Sequence, residues 1–235
     1  MRKFKIFEAG PNGDLSSWGT DKNGKRWEDY DTIICPDGEV IDMQKLLDEQ
    51  QKAKVALVRL LPWVAGFIGK LRFIYTFRIQ TQATDGYNLL VNPQFTNKLN
   101  LLEKTFVLAH EIMHCLLNHL RRGKGHNPDR SNIAADYECN ITLANIKPFT
   151  FDMIKNMDAY IDKKYDGKGY EEIYADVKDN SKDHQNNEKE SKKAENNQNG
   201  GNGSNGSNGG QQYSADYKAG WNQAMEDYKA GKLKL

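Results

Sequence analysis

The sequence predicts an α+β fold, and three observations carry that expectation. Apolar residues recur at helical spacing through long stretches between Met43 and Ala144. An Asp85-Gly86 pair lies between β-branched and aromatic runs, a strong local hairpin signal. Turn formers crowd the first 42 residues, with only short β-like runs between them.

Taken in order, residues 1–42 read as a small irregular or β-hairpin region. Its β-like runs are Phe4–Phe7 and Asp31–Cys35, separated by Pro11-Asn-Gly-Asp, Asp21-Lys-Asn-Gly and Pro36-Asp-Gly. From Met43, the residues Leu46, Leu47, Ala53, Val55, Ala56, Leu57, Leu60 and Leu61 make a helix that Pro62 stops. Trp63–Ile68 reads as a short buried segment closed by Gly69. Two strands, Leu71–Gln82 and Tyr87–Asn92, are expected to pair across Asp85-Gly86, and Pro93 ends the second because it has no ladder donor. One long helix is expected from Asn97 to Arg122, a loop over 123–128, and a second helix from about Asp129 to Ala144. Short helices follow in 151–178, the clearest over 170–177.

Residues 43–178 thus form the candidate domain. Residues 179–212 carry a single apolar residue, Ala194, with many Asn and Gly, and cannot bury enough surface to offset chain entropy; they read as disordered linker. Residues 213–235 read as an amphipathic helix with an aromatic stripe of Tyr213, Tyr217, Trp221 and Tyr228. That stripe either docks on the chain's own core or offers a surface to a protein partner.

Composition narrows the function. Lys+Arg 33 against Asp+Glu 32 leaves a formal charge of +1, too little for a broad grip on nucleic acid or anionic lipid. No apolar run approaches the roughly 20 residues that span a bilayer. Three cysteines, Cys35, Cys115 and Cys139, cannot all pair within one chain, so a reducing, cytoplasmic setting is the simpler expectation.

Chemistry concentrates at His110-Glu111-Ile112-Met113-His114. Two histidines four apart on a helix point the same way and can share one Zn²⁺, while the glutamate between them can reach the metal-activated water as general base without being a ligand. The helix that bears them is apolar on nearly all sides, which marks it as buried. Buried polar groups need a reason, and a metal supplies one. The competing reading is that one or both histidines are satisfied core residues or surface residues beside the loop.

A catalytic zinc takes three protein ligands and keeps a position open. Two candidates stand for the third. His119 lies five residues past His114, about 140° around a regular helix, and faces away unless the helix breaks at once. Asp136, on the next helix, returns to the level of the histidines at about 1.5 Å per residue if the two helices run antiparallel. Asn132, Asp136 and Asn140 form a polar stripe at spacing four, with Asn140 a candidate to support a ligand. Cys115 and Cys139 adjoin these residues but read as core packing. Arg121, Arg122 and Lys124 end a helix, where cations suit the dipole. The hairpin before the helix could pair with an extended substrate.

Several segments, in order, resemble a known family: Thr81-Gln-Ala-Thr-Asp-Gly-Tyr87, Val91-Asn-Pro-Gln-Phe95, Leu108 through Arg122 around the histidines, Asn132-Ile-Ala-Ala-Asp-Tyr-Glu-Cys-Asn140, and Tyr170-Glu-Glu-Ile-Tyr174. They resemble the "putative metallopeptidase domain" of bacteria and phages, often found in front of a von Willebrand A-like domain. The resemblance runs from about residue 45 to 178. It implies a zincin-like α+β fold and a single zinc, with His110 and His114 as ligands, Glu111 as catalytic residue and Asp136 within the second motif. The expected activity is zinc-dependent hydrolysis of a peptide or protein substrate, with no nucleic acid or membrane partner. The alternative is a non-catalytic zinc-binding or interaction module that recruits a partner through residues 213–235.

Overall fold

The computed structural model describes residues 16–177. The expected strand at Phe4–Phe7, the linker 179–212 and the helix 213–235 lie outside the described residues. The strands and nearly all the helices belong to the first of two compact units, Met1–Tyr174.

The N-terminal hairpin pairs β1 (Thr32–Ile34) antiparallel with β2 (Val40–Asp42) across Pro36-Asp-Gly. Gly38 takes φ 89°, a left-handed conformation that glycine adopts without steric cost. Asp42 ends the hairpin and caps the next helix, its side chain accepting from the Lys45 amide. That helix, α1 (Met43–Leu60), buries Met43, Leu46, Gln50, Ala53 and Leu57, one face at helical spacing. Only Val64 is buried in the turns over 62–68, which include the short α2 (Ala65–Ile68); the expected buried segment there is mostly surface.

The expected two-stranded hairpin is instead a three-stranded sheet. The first stretch divides into β3 (Arg72–Tyr75) and β4 (Gln82–Thr84), which flank β5 (Asn88–Val91) on opposite sides. β4 and β5 are antiparallel across Asp85-Gly86, whereas β3 runs parallel to β5. The turn forms as its chemistry predicts: the Asp85 carboxylate accepts from the Tyr87 and Asn88 amides, and Gly86 sits at φ 90°. Asn92 closes β5 and caps α3 (Pro93–Asn97), accepting from the Gln94 and Phe95 amides.

The expected long helix also divides. α4 (Leu101–Leu116) starts at a capping box in which Asn100 and Glu103 satisfy each other's backbone amides. Every residue of α4 from Lys104 to His114 is buried, so it is the core helix of the fold. It ends where Asn118 enters the left-handed region, φ 55° and ψ 36°, and α5 (His119–Arg122) leaves in a new direction. Asn127 caps α6 (Pro128–Ala144), with Pro128 at the first position, where no amide is needed. α7 (Phe151–Asn156) and a last helical stretch over 170–177 follow. Among the described residues, no helix is long and apolar enough to cross a membrane.

Candidate metal centre

The centre grows from the crossing of α4 and α6. His110 and His114 stand one helical turn apart on the buried face of α4, and their Nε2 atoms lie 2.9 Å from each other. α6 passes antiparallel, so that His110 meets Asn140 while His114 meets Asp136. Asp136 Oδ1 sits 3.4 Å from both Nε2 atoms and has no hydrogen-bond partner. Ligands about 2.0–2.1 Å from a tetrahedral zinc stand about 3.3 Å from one another. The two distances from Asp136, 3.4 Å each, match that figure, while the two imidazole nitrogens stand closer, at 2.9 Å.

The far sides of the rings are tied down as well. His110 Nδ1 is 2.7 Å from Asn140 Oδ1, and Asn140 is oriented by its own NH₂ group, which donates to the Tyr160 carbonyl at 2.8 Å. A carbonyl oxygen only accepts, so Nδ1 carries a His110 proton, and in the neutral ring Nε2 faces the pocket as a lone pair. Glu111 projects from the same helix turn with both carboxyl oxygens buried and unpartnered. An unsatisfied buried carboxylate costs several kcal/mol, and burial pushes the Glu111 pKa up to about 8, with the Asp136 charge adding to the rise against the lowering effect of His110.

The family described as "putative metallopeptidase domain" matches residues 46–232. The chain belongs to that family. The match continues past residue 178, where the sequence motifs that resemble the family end. No curated protein and no solved structure matches the chain.

The donors of this domain fit a metal ion, because Asp136 Oδ1 lies 3.4 Å from the Nε2 atoms of both His110 and His114 and has no hydrogen-bond partner. Cys139 offers a second donor set, since its sulfur lies within 4.8 Å of donor atoms on both histidines. Its contact with His114, however, is to Nδ1 at 3.8 Å, on the ring side already facing His119. Asp136 faces the Nε2 side of both rings, at shorter range. Burial lowers the His110 pKa, but the adjacent Asp136 carboxylate outweighs it and the net direction is upward. His114 moves down, from burial first and then from the neighbouring His110 charge.

His119 departs from the expected geometry. The turn at Asn118 breaks the helix at once and swings His119 back, so that its Nδ1 lies 3.0 Å from His114 Nδ1. Its Nε2 lies 2.7 Å from Glu138 Oε2, an oxygen that also accepts from Arg122 at 3.0 Å. It therefore stands behind His114, not in the pocket. Arg122 does more than suit a helix dipole: it donates to the Leu117 carbonyl at the end of α4 and forks onto the two Glu171 oxygens at 2.9 and 2.7 Å. Glu138, Arg122 and Tyr160 are not readable as site residues from the sequence. The signal available is Asn118, since asparagine is the side-chain-bearing residue that best tolerates a left-handed turn. Cys139 is fully buried and Cys115 packs near Thr84, consistent with a core role.

Proposed function

We propose that the chain is a zinc peptidase in which His110, His114 and Asp136 hold the ion and Glu111 moves the proton. The carrying observation is the mutual spacing of three donor atoms, 2.9, 3.4 and 3.4 Å, beside a carboxylate with nothing to bond. A zinc ion held by these donors would supply a Lewis acid, able to polarise a peptide carbonyl and to make water more acidic. Glu111, whose oxygens are free of partners, would take a proton from water as its oxygen bonds to the peptide carbonyl carbon, and would give that proton to the amine nitrogen as the C–N bond breaks. Asn140 holds His110 with its Nε2 forward. β4 is the sheet edge packed beside α4, whereas β5 is central with both sides used, so β4 is the strand to which an extended peptide would add.

One observation favours the second reading, a metal that only braces the fold. His110, Glu111, His114 and Asp136 are each no more than 1% exposed, and structural zinc sites are closed whereas catalytic ones keep an open position. Glu111→Gln separates the readings. The catalytic reading expects the variant to keep one equivalent of zinc and lose hydrolysis of a peptide library that the wild type cleaves. Wild type that binds zinc without cleaving any member supports the structural reading.

A further inference from the structure

A histidine four residues from another can ligate a metal only if the nitrogen turned inward is bare, and helical spacing alone does not choose the tautomer. Donor counting around His119 does. Glu138 Oε2 can only accept, so His119 Nε2, 2.7 Å away, carries a proton. Arg122 donates to the same oxygen and already balances its charge, and His119 is fully buried, so a second proton on the ring is disfavoured. Its Nδ1 is then an acceptor. Two atoms lie within reach of it, the Cys139 sulfur at 3.7 Å and His114 Nδ1 at 3.0 Å; the ring nitrogen is the shorter and stronger partner, which makes His114 Nδ1 the donor. With its one proton spent there, His114 presents a bare Nε2 to His110 and Asp136.

We propose that His119 is a positioning residue that locks His114 in the Nδ1–H tautomer needed for ligation, and that the left-handed turn at Asn118 serves to deliver it. The inference rests on the zinc-site reading. Helical continuation through Asn118 would carry His119 about 140° away from His114. The break instead sets it behind the ring, where the supporting partners of metal-bound histidines stand. Here that partner is a second imidazole, made a strong acceptor because Glu138 draws on its opposite nitrogen. The acceptor is in turn held: Arg122 bridges Glu138 to Glu171, and the Tyr170 ring lies 5.6 Å from His119.

The test uses full-length protein labelled with ¹⁵N-histidine, with zinc affinity read by competition against a chromogenic chelator. His119→Leu is expected to weaken zinc about 10–100-fold, the usual cost of losing such a partner. His119→Gln is expected to stay within a few-fold of wild type, because its amide oxygen and NH₂ group span the same gap between His114 and Glu138. In wild type, His114 is expected to carry its proton on Nδ1, with scalar coupling across the N–H···N bond to His119. Zinc bound equally well by His119→Leu, or His114 protonated on Nε2, overturns the proposal. If His119→Leu does not fold, the wild-type tautomer and the Gln variant decide. Wild type that binds no zinc brings down the metal reading itself, while the coupling in the zinc-free protein still reports whether His119 sets the tautomer.

Discussion

The Nε2 atoms of His110 and His114 face each other at 2.9 Å, a hydrogen-bond distance between two atoms that each have a bonded partner behind the ring. When both rings are neutral, with their protons held at Nδ1, no hydrogen is left to share between them, and two lone pairs oppose a third from Asp136. A cation relieves that opposition. Zinc is therefore expected to stabilise the fold strongly: at about a thousandfold excess over Kd, linkage gives about 4 kcal/mol, or on the order of 10 °C in Tm for a chain of this size. Thermal denaturation with one equivalent of zinc, then with chelator added, checks this. An unmoved Tm would count against any ion at this place.

Asp136 and Cys139 make opposite predictions as third donors. Asp136→Asn keeps the shape but gives up the anionic lone pair, so zinc affinity is expected to fall about 100-fold and the zinc-dependent rise in Tm to shrink to a few degrees. Cys139→Ala should leave affinity within a few-fold and cost about 1–2 kcal/mol of stability through the small cavity it opens. Chelator competition and urea denaturation on both variants measure the two effects. The reverse ranking would hand the third position to the sulfur.

Asn118 at φ 55° is a backbone requirement that the side chain must tolerate. Asn118→Gly should be neutral within about 0.5 kcal/mol, whereas Asn118→Val should cost about 2 kcal/mol, since branching at Cβ clashes in the left-handed region. If His119 depends on the turn, the valine variant loses zinc affinity alongside stability. Urea denaturation paired with zinc titration separates the two losses.

Much of this arrangement is legible in the chain. α1 and α4 carry unbroken helical periodicity and strong caps at Asp42 and Asn100, and the same periodicity puts His110 and His114 on one face. Rise per residue suffices to bring Asp136 level with them, given an antiparallel α6. The sheet is less legible. Leu71–Gln82 has no glycine or proline to mark the gap between β3 and β4. What bends the chain there is distant: the Asn92 side chain donates to the Ile79 carbonyl, and the Asn92 amide to Thr81. Parallel pairing of β3 with β5 leaves no local trace either. The place of His119 escapes helical spacing for a related reason. A single left-handed residue within Cys115-Leu-Leu-Asn-His changes the direction of everything after it, and that residue is stabilised by what α5 then meets in Glu138 and Glu171.

Lys104 and Glu49 hold α4 against α1 at the end away from His110 and His114, and the pair is asymmetric. The Lys104 ammonium is 2% exposed and donates to Glu49 at 2.6 Å and to the Leu99 carbonyl, while the Glu49 side chain is 31% exposed. Removing the glutamate charge strands a buried cation; removing the lysine charge leaves a carboxylate that water can reach. Glu49→Gln is therefore expected to cost about 2 kcal/mol and Lys104→Met under about 1 kcal/mol, both discounted from a fully buried pair because Glu49 touches solvent. The hydrogen bond from Lys104 lowers the Glu49 pKa below its ordinary 4.5. A depressed carboxylate contributes its stability above the unfolded value and loses it as pH falls through the folded one. Wild type should thus lose this contribution as pH drops below about 4.5, and Glu49→Gln should lack that part of the acid loss. Urea midpoints from pH 7 to pH 3 for wild type and both variants read the difference, and parallel curves for all three would show that the pair contributes nothing to the packing of the two helices.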